Sequence, residues 1–165
     1  MKSIAYGTLS ETGPVTQIEI ERRELTARDV EIAVQYCGIC HSDIHTAHGD
    51  WGTVAYPCVP GHEIVGTVRA VGNEVTKHKI GDVVGVGCMV NACGNCEKCL
   101  AKQENYCDNV VWTYASTDSV DGTDTKGGYA ETIVTPEDFV IPIPEEMDLA
   151  KAAPLLCAGI TMYSP

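Results

Sequence analysis

Basic residues are scarce in this chain of 165 residues: 11 Lys and Arg stand against 23 Asp and Glu, a formal net charge of −12 at pH 7. Proteins that grip nucleic acid or anionic membrane surfaces use basic patches, so this balance argues against both partners. Its direct consequence is solubility. Long apolar runs are also lacking, and no stretch approaches the roughly 20 residues that a membrane-spanning helix needs. The N-terminus, Met1-Lys2-Ser3-Ile4, carries no signal-peptide pattern. Nor do the cysteines show the even count of a secreted disulfide framework, since there are nine. Clustered Cys-x-x-Cys spacing without a signal peptide reads as metal binding in a reducing compartment, which makes the cytoplasm the expected location. No internal repeat is found, and the length predicts one domain able to bury a core.

What is present is mostly strand-like. Residues 2–6 and 16–21 alternate or are β-branched. Asp29 to Tyr36 alternates, which predicts Val30, Ile32, Val34 and Tyr36 on one face of a strand. Further strands are predicted over 64–71, 82–86, 129–135 and 139–143. Ser42 suits a helix N-cap and Gly49 a terminator, so a short helix is expected over 42–48. Residues 88–125 read as loop, and only 148–153 reads clearly as a longer helical segment. Many short strands between turns predict a mainly β fold, a barrel or a sandwich.

Two groups of residues carry metal chemistry. Cys40 and His62 stand 22 positions apart, too far for a local zinc finger. A site assembled from distant segments needs a rigid scaffold, and a scaffold can keep one coordination position open for catalysis. Gly61 lets the backbone pass close to such a metal, and Glu63 suits a supporting carboxylate or an occasional ligand. The second group, Cys93-x-x-Cys96-x-x-Cys99 followed after seven residues by Cys107, can close a tetrahedral thiolate shell by itself. That zinc would be structural. An iron–sulfur site fits the same spacing less well. A nucleic-acid-binding zinc ribbon does not fit, because Lys98 and Lys102 are balanced by Glu97 and Glu104. Cys37 and Cys58 are expected as small buried hydrophobes, and His48 and His78 as ordinary polar residues.

Gly61-His62-Glu63-Ile64-Val65-Gly66, with Gly72 and Val75, resembles the zinc signature of the medium-chain alcohol dehydrogenases. Tyr36 to Asp43 and Ala153 to Gly159 resemble the cinnamyl-alcohol-dehydrogenase-like branch of that family. The resemblance runs along essentially the whole chain and covers the catalytic, GroES-like half of such proteins. It implies a partly open GroES-like barrel over 1–165, with a structural-zinc lobe and loop at 88–125 and a helical segment at 148–165 leading toward a nucleotide-binding domain. It implies two zinc ions: a catalytic one on Cys40, His62 and Cys157, with Glu63 beside it, and a structural one on Cys93, Cys96, Cys99 and Cys107.

By the same resemblance the reaction interconverts a primary alcohol and its aldehyde with NADP or NAD. Ser42 takes the alcohol proton and passes it to His45, whose imidazole suits proton transfer near neutral pH. Capping the helix is the rival role of Ser42. His41 and Thr161 would touch the cofactor, and Trp51, Cys88 and Trp112 would line the substrate pocket, with rim or core packing as the rival role of the tryptophans. Gly85-Val86-Gly87 lacks the third glycine and the βαβ context of a dinucleotide cradle. The chain alone is therefore expected to be nearly inactive. The other reading is a free-standing zinc-binding or interaction module without catalysis, its bare face covered by self-association.

Overall fold

The computed structural model describes residues 1–164. Nine strands run in chain order: β1 (Lys2–Gly7), β2 (Thr16–Glu21), β3 (Asp29–Cys37), β4 (Ile64–Val71), β5 (Val83–Val86), β6 (Met89–Asn91), β7 (Val111–Trp112), β8 (Thr132–Pro136) and β9 (Ile141–Pro142). Four short helices accompany them: α1 (His41–Ala47), α2 (Glu97–Leu100), α3 (Leu149–Ala152) and α4 (Ala158–Tyr163). The main sheet is antiparallel with order β8-β3-β4-β5-β9, and β1-β2 and β6-β7 form separate hairpins. The mainly β, partly open architecture expected from the sequence is what folds.

The core follows from the β-branched residues of the central strands. Val30, Ile32, Ile64, Val68, Val84, Val86 and Ile133 are buried together, with Val90 and Val111 of the β6-β7 hairpin packed on them. Strand β3 is central, paired along both edges by β4 and β8, and Asp29 and Glu31 on it are buried as well, Asp29 against Arg23. The simple alternation expected along this strand does not persist. Val34 is half-buried and Tyr36 exposed, because register shifts at Glu31/Ile32 and Val34/Tyr36 turn the strand as it leaves the core.

Two local expectations need correction. Residues 88–125 are not simply loop: they hold the β6-β7 hairpin, α2 and a 3₁₀ turn at Glu104–Tyr106. The strand expected from 129 starts at Thr132, because Gly127, Gly128 and Tyr129 donate backbone hydrogen bonds to Val59, Gly61 and Pro60. Beyond 148–153 the chain adds a 3₁₀ turn at Ala153–Leu156 and then α4, too short for a periodic signal. Ala152 and Ala153 bury against Val65, and Leu149 and Leu156 pack beside them, so this C-terminal arm is clamped to the sheet.

Candidate metal centre and active site

Strand β3 delivers the chain to α1 through Gly38, Ile39 and Cys40. A Cβ on Gly38 would lie 1.9 Å from Glu63 Oε2, so only glycine lets the two segments approach here. The helix begins one residue earlier than the sequence suggests. Cys40 is its N-cap, and the Cys40 amide donates to Asp43 Oδ2 at 2.9 Å. Ser42 therefore lies inside the first turn and is not the cap; its hydroxyl is 3.5 Å from Cys40 Sγ. Gly49, with φ of 70°, follows the last turn as expected.

Asp43 is the residue that sequence reasoning left without a role. It is buried and accepts four hydrogen bonds: from the amides of Cys40 and Gly61 (2.9 and 3.0 Å), from His62 Nδ1 (3.1 Å) and from the Tyr129 hydroxyl (2.8 Å). Burial pushes its carboxyl up, but His62 and the other donors outweigh this and hold it below the usual range. The His62–Asp43 bond leaves Nε2 of the imidazole as the nitrogen free for a metal. The signal that could have found Asp43 is chemical: a metal-binding histidine needs an acceptor for its other nitrogen, and an acid follows Cys40 by three residues.

Cys157 arrives from the far end of the chain, between the 3₁₀ turn and α4. One donor atom from each of Cys40, His62, Glu63 and Cys157 lies within 4.8 Å of the others. Two thiols and an imidazole form a donor set suited to zinc, and with the Glu63 carboxylate beside them as a support one position of a tetrahedral shell stays open. Burial pushes the Cys157 thiol up, and Cys88 and Cys40 nearby add to this. Burial likewise raises the Glu63 carboxyl, with the Ala158 N–H pulling the other way.

The cysteine lobe passes a stricter test. The Sγ separations are 3.9 Å for Cys93–Cys99, 3.8 Å for Cys96–Cys107 and 3.5 Å for Cys93–Cys107. A tetrahedral zinc with bonds of about 2.3 Å requires sulfur–sulfur edges of about 3.8 Å. Cys96 caps α2 by accepting the Cys99 amide, so the ligand spacing and the helix start are one feature.

A cavity of about 500 Å³ opens over Cys157 and His62, with Ser42, Cys88, Trp51 and Trp112 in its lining. The tryptophans belong to its rim, 66% and 47% exposed. His45 donates from Nδ1 to Asp50 Oδ2 at 2.8 Å and lies between the rings of His41 (4.7 Å) and Trp51 (5.1 Å). Among the described residues no hydrogen bond joins Ser42 to His45. His41 and Thr161 are exposed and outside the cavity lining. Cys58 is buried and its thiol is pushed up to about 11, and the Cys37 thiol to about 12, mainly by burial, as befits small apolar residues.

An antiparallel β scaffold brings two cysteines and a histidine from distant segments together, with a four-cysteine lobe at its side, and both groups could hold a metal ion. The chain belongs to the alcohol dehydrogenase GroES-like domain family, whose model matches residues 26–145. It is 52% identical over 98% of its length to NADP-dependent alcohol dehydrogenase C 1 of Mycolicibacterium smegmatis, of which it covers 46%. It is 53% identical over 93% of its length to a probable cinnamyl alcohol dehydrogenase 5 of rice, Oryza sativa subsp. japonica, of which it covers 43%. Its fold superposes on CAD from Helicobacter pylori, crystallised with NADP(H), with a TM-score of 0.97 at 46% identity, covering 100% of this chain and 48% of that one. The chain thus spans about half the length of the relatives it matches.

Proposed function

We propose that the chain serves as the catalytic domain of a zinc-dependent alcohol dehydrogenase that interconverts primary alcohols and aldehydes with a nicotinamide cofactor. The carrying observation is the convergence of Cys40, His62, Glu63 and Cys157, with His62 and Cys157 lining the cavity. The names of the NADP-dependent relative and the NADP(H)-bound neighbour favour NADP over NAD. Residues 1–165 act as one domain, in which the 88–125 lobe is structural and the 148–165 segment contributes Cys157; its last residue lies outside those described.

In this reading Cys40, His62 and Cys157 hold zinc, and Glu63 supports them. When bound, zinc supplies Lewis-acid polarisation of the alcohol oxygen. The rest falls to the chain's own groups. Ser42 Oγ, beside Cys40 Sγ, is placed to take the alcohol proton. His45, anchored on Asp50, is the outer proton acceptor and is reached through an intervening hydroxyl or water. Trp51 and Trp112 confine the substrate at the rim, and Cys88 packs against it deeper in.

The fit to the nicotinamide cofactor is poor within these residues. His41 and Thr161 are exposed outside the cavity lining, and Gly85 lies in the antiparallel strand β5, where a Cβ would sit 2.7 Å from Leu156 Cδ1. No glycine-rich cradle is assigned, so the chain alone is expected to turn over very slowly. Metal analysis tests the proposal: about two zinc ions per chain are expected, and about one after His62→Ala. A wild-type value of one or none would overturn it. Adding a cofactor-binding domain from a relative should then restore turnover; a two-zinc protein that stays inactive would favour the non-catalytic module.

A further inference from the structure

The carboxylate behind the metal-binding imidazole is held by more than backbone amides. Tyr129 donates its hydroxyl to Asp43 Oδ2 at 2.8 Å, shorter than its alternative approach to the Gly38 carbonyl at 3.4 Å. Tyr114 stands on the cavity side of the Asp43–His62 pair. Its ring tilts over His62 with centroids 5.4 Å apart, and its hydroxyl lies near Asp43 and Thr46. Burial, with the Asp43 charge behind it, pushes both phenols well above the ordinary tyrosine value, so they stay donors throughout the working pH range.

The backbone fixes one of these tyrosines. Gly127 donates to the Val59 carbonyl at 2.6 Å, Gly128 to Gly61 at 2.8 Å and Tyr129 to Pro60 at 3.1 Å. The segment carrying Tyr129 is therefore laced to the segment carrying His62. A Cβ on Gly127 would lie 2.3 Å from the Pro60 carbonyl, so the lacing needs glycine. The buried Arg22 guanidinium secures the other side, donating to the carbonyls of Lys126 and Gly127 at 2.5 and 2.7 Å.

We propose that Tyr129 and Tyr114 are positioning residues for the catalytic metal site: Tyr129 holds the Asp43 carboxylate and Tyr114 packs its ring over the His62 imidazole, and together they fix the plane and tautomer of that imidazole. Neither touches the reacting atoms through this role. The proposal rests on the reading of Cys40, His62 and Cys157 as metal ligands. A dry, fully bonded carboxylate is a stronger and more rigid acceptor than one that shares its lone pairs with cavity water.

The test loads the chain with Co²⁺ alone and follows the absorption of the two sites, the four-cysteine lobe serving as internal reference. Tyr129→Phe is expected to weaken Co²⁺ at the Cys40/His62/Cys157 site by about 10- to 100-fold and shift its ligand-field bands. The lobe should keep its affinity and spectrum. Tyr114→Leu, which removes the ring packed over His62, should weaken the same site several-fold, and it decides the matter if Tyr129→Phe does not fold. Unchanged affinity and bands in a folded variant would overturn the proposal. Failure of the wild-type chain to bind Co²⁺ at that site would instead overturn the metal reading itself.

Discussion

Gly38 shows how much of the site depends on what a residue does not carry. Its amide donates to the Glu63 carbonyl at 2.9 Å, which pins the end of β3 to the segment entering β4. The Glu63 carboxylate occupies the space that any side chain at 38 would need, and the hypothetical Cβ is also 3.0 Å from Glu63 Cβ and Cδ. The carboxylate end can rotate away, but Glu63 Cβ is close as well, and turning the buried Glu63 aside costs its packing. Gly38→Ala is therefore expected to destabilise the fold by about 1–3 kcal/mol, the usual range for overpacking. It should also swing Glu63 out of the donor set. Urea unfolding and zinc analysis would check both: the site of Cys40, His62 and Cys157 loses metal while the cysteine lobe retains it.

At the scale of elements the lobe is the most self-contained piece, and its acid–base state is already divided. The amides of Asn95 and Cys96 stabilise the Cys93 thiolate and lower its pKa to about 6, whereas burial pushes the Cys99 thiol up to about 12. At pH 7 Cys93 has lost its proton and Cys99 has not. Closing a four-thiolate shell must then expel at least the Cys99 proton. Zinc affinity of the lobe should rise by about tenfold per pH unit for each proton released. A chelator-competition titration at pH 6.5, 7 and 7.5 would show this slope, and a flat profile would contradict the assignment of Cys99 as a ligand. The lobe was legible in the sequence because its ligands are local: two Cys-x-x-Cys steps place three of the four sulfurs. The β6-β7 hairpin beside it was not, since strands of three and two residues leave no periodic trace. The same locality explains the error at Ser42. A hydroxyl is the ordinary cap, but here Asp43 reaches back to the Cys40 amide and starts the helix one residue earlier.

Across the whole molecule the two candidate metal sites differ in what assembles them. The lobe needs one segment of chain, while the site of Cys40, His62 and Cys157 needs three, brought together by packing that no short window of sequence contains. Cys157 in particular could be named only through family resemblance, because nothing in its spacing from His62 indicates convergence. Its position is set by the C-terminal arm: Ala152 and Ala153 are buried on Val65, and Leu156 lies against Gly85, which has no side chain to hold it off. A carboxylate placed at 153 would have to be buried without a partner or force the arm away from the sheet, and undocking exposes less charge-hostile surface than burial does. Ala153→Asp should thus detach the arm while leaving the β8-β3-β4-β5-β9 sheet, whose main core cluster does not include the arm, folded. The expected product is a chain with β-rich circular dichroism and a zinc content falling from about two ions to about one, with the remaining ion bound by four sulfurs. Retention of both ions would mean that Cys157 is not carried to the site by this packing.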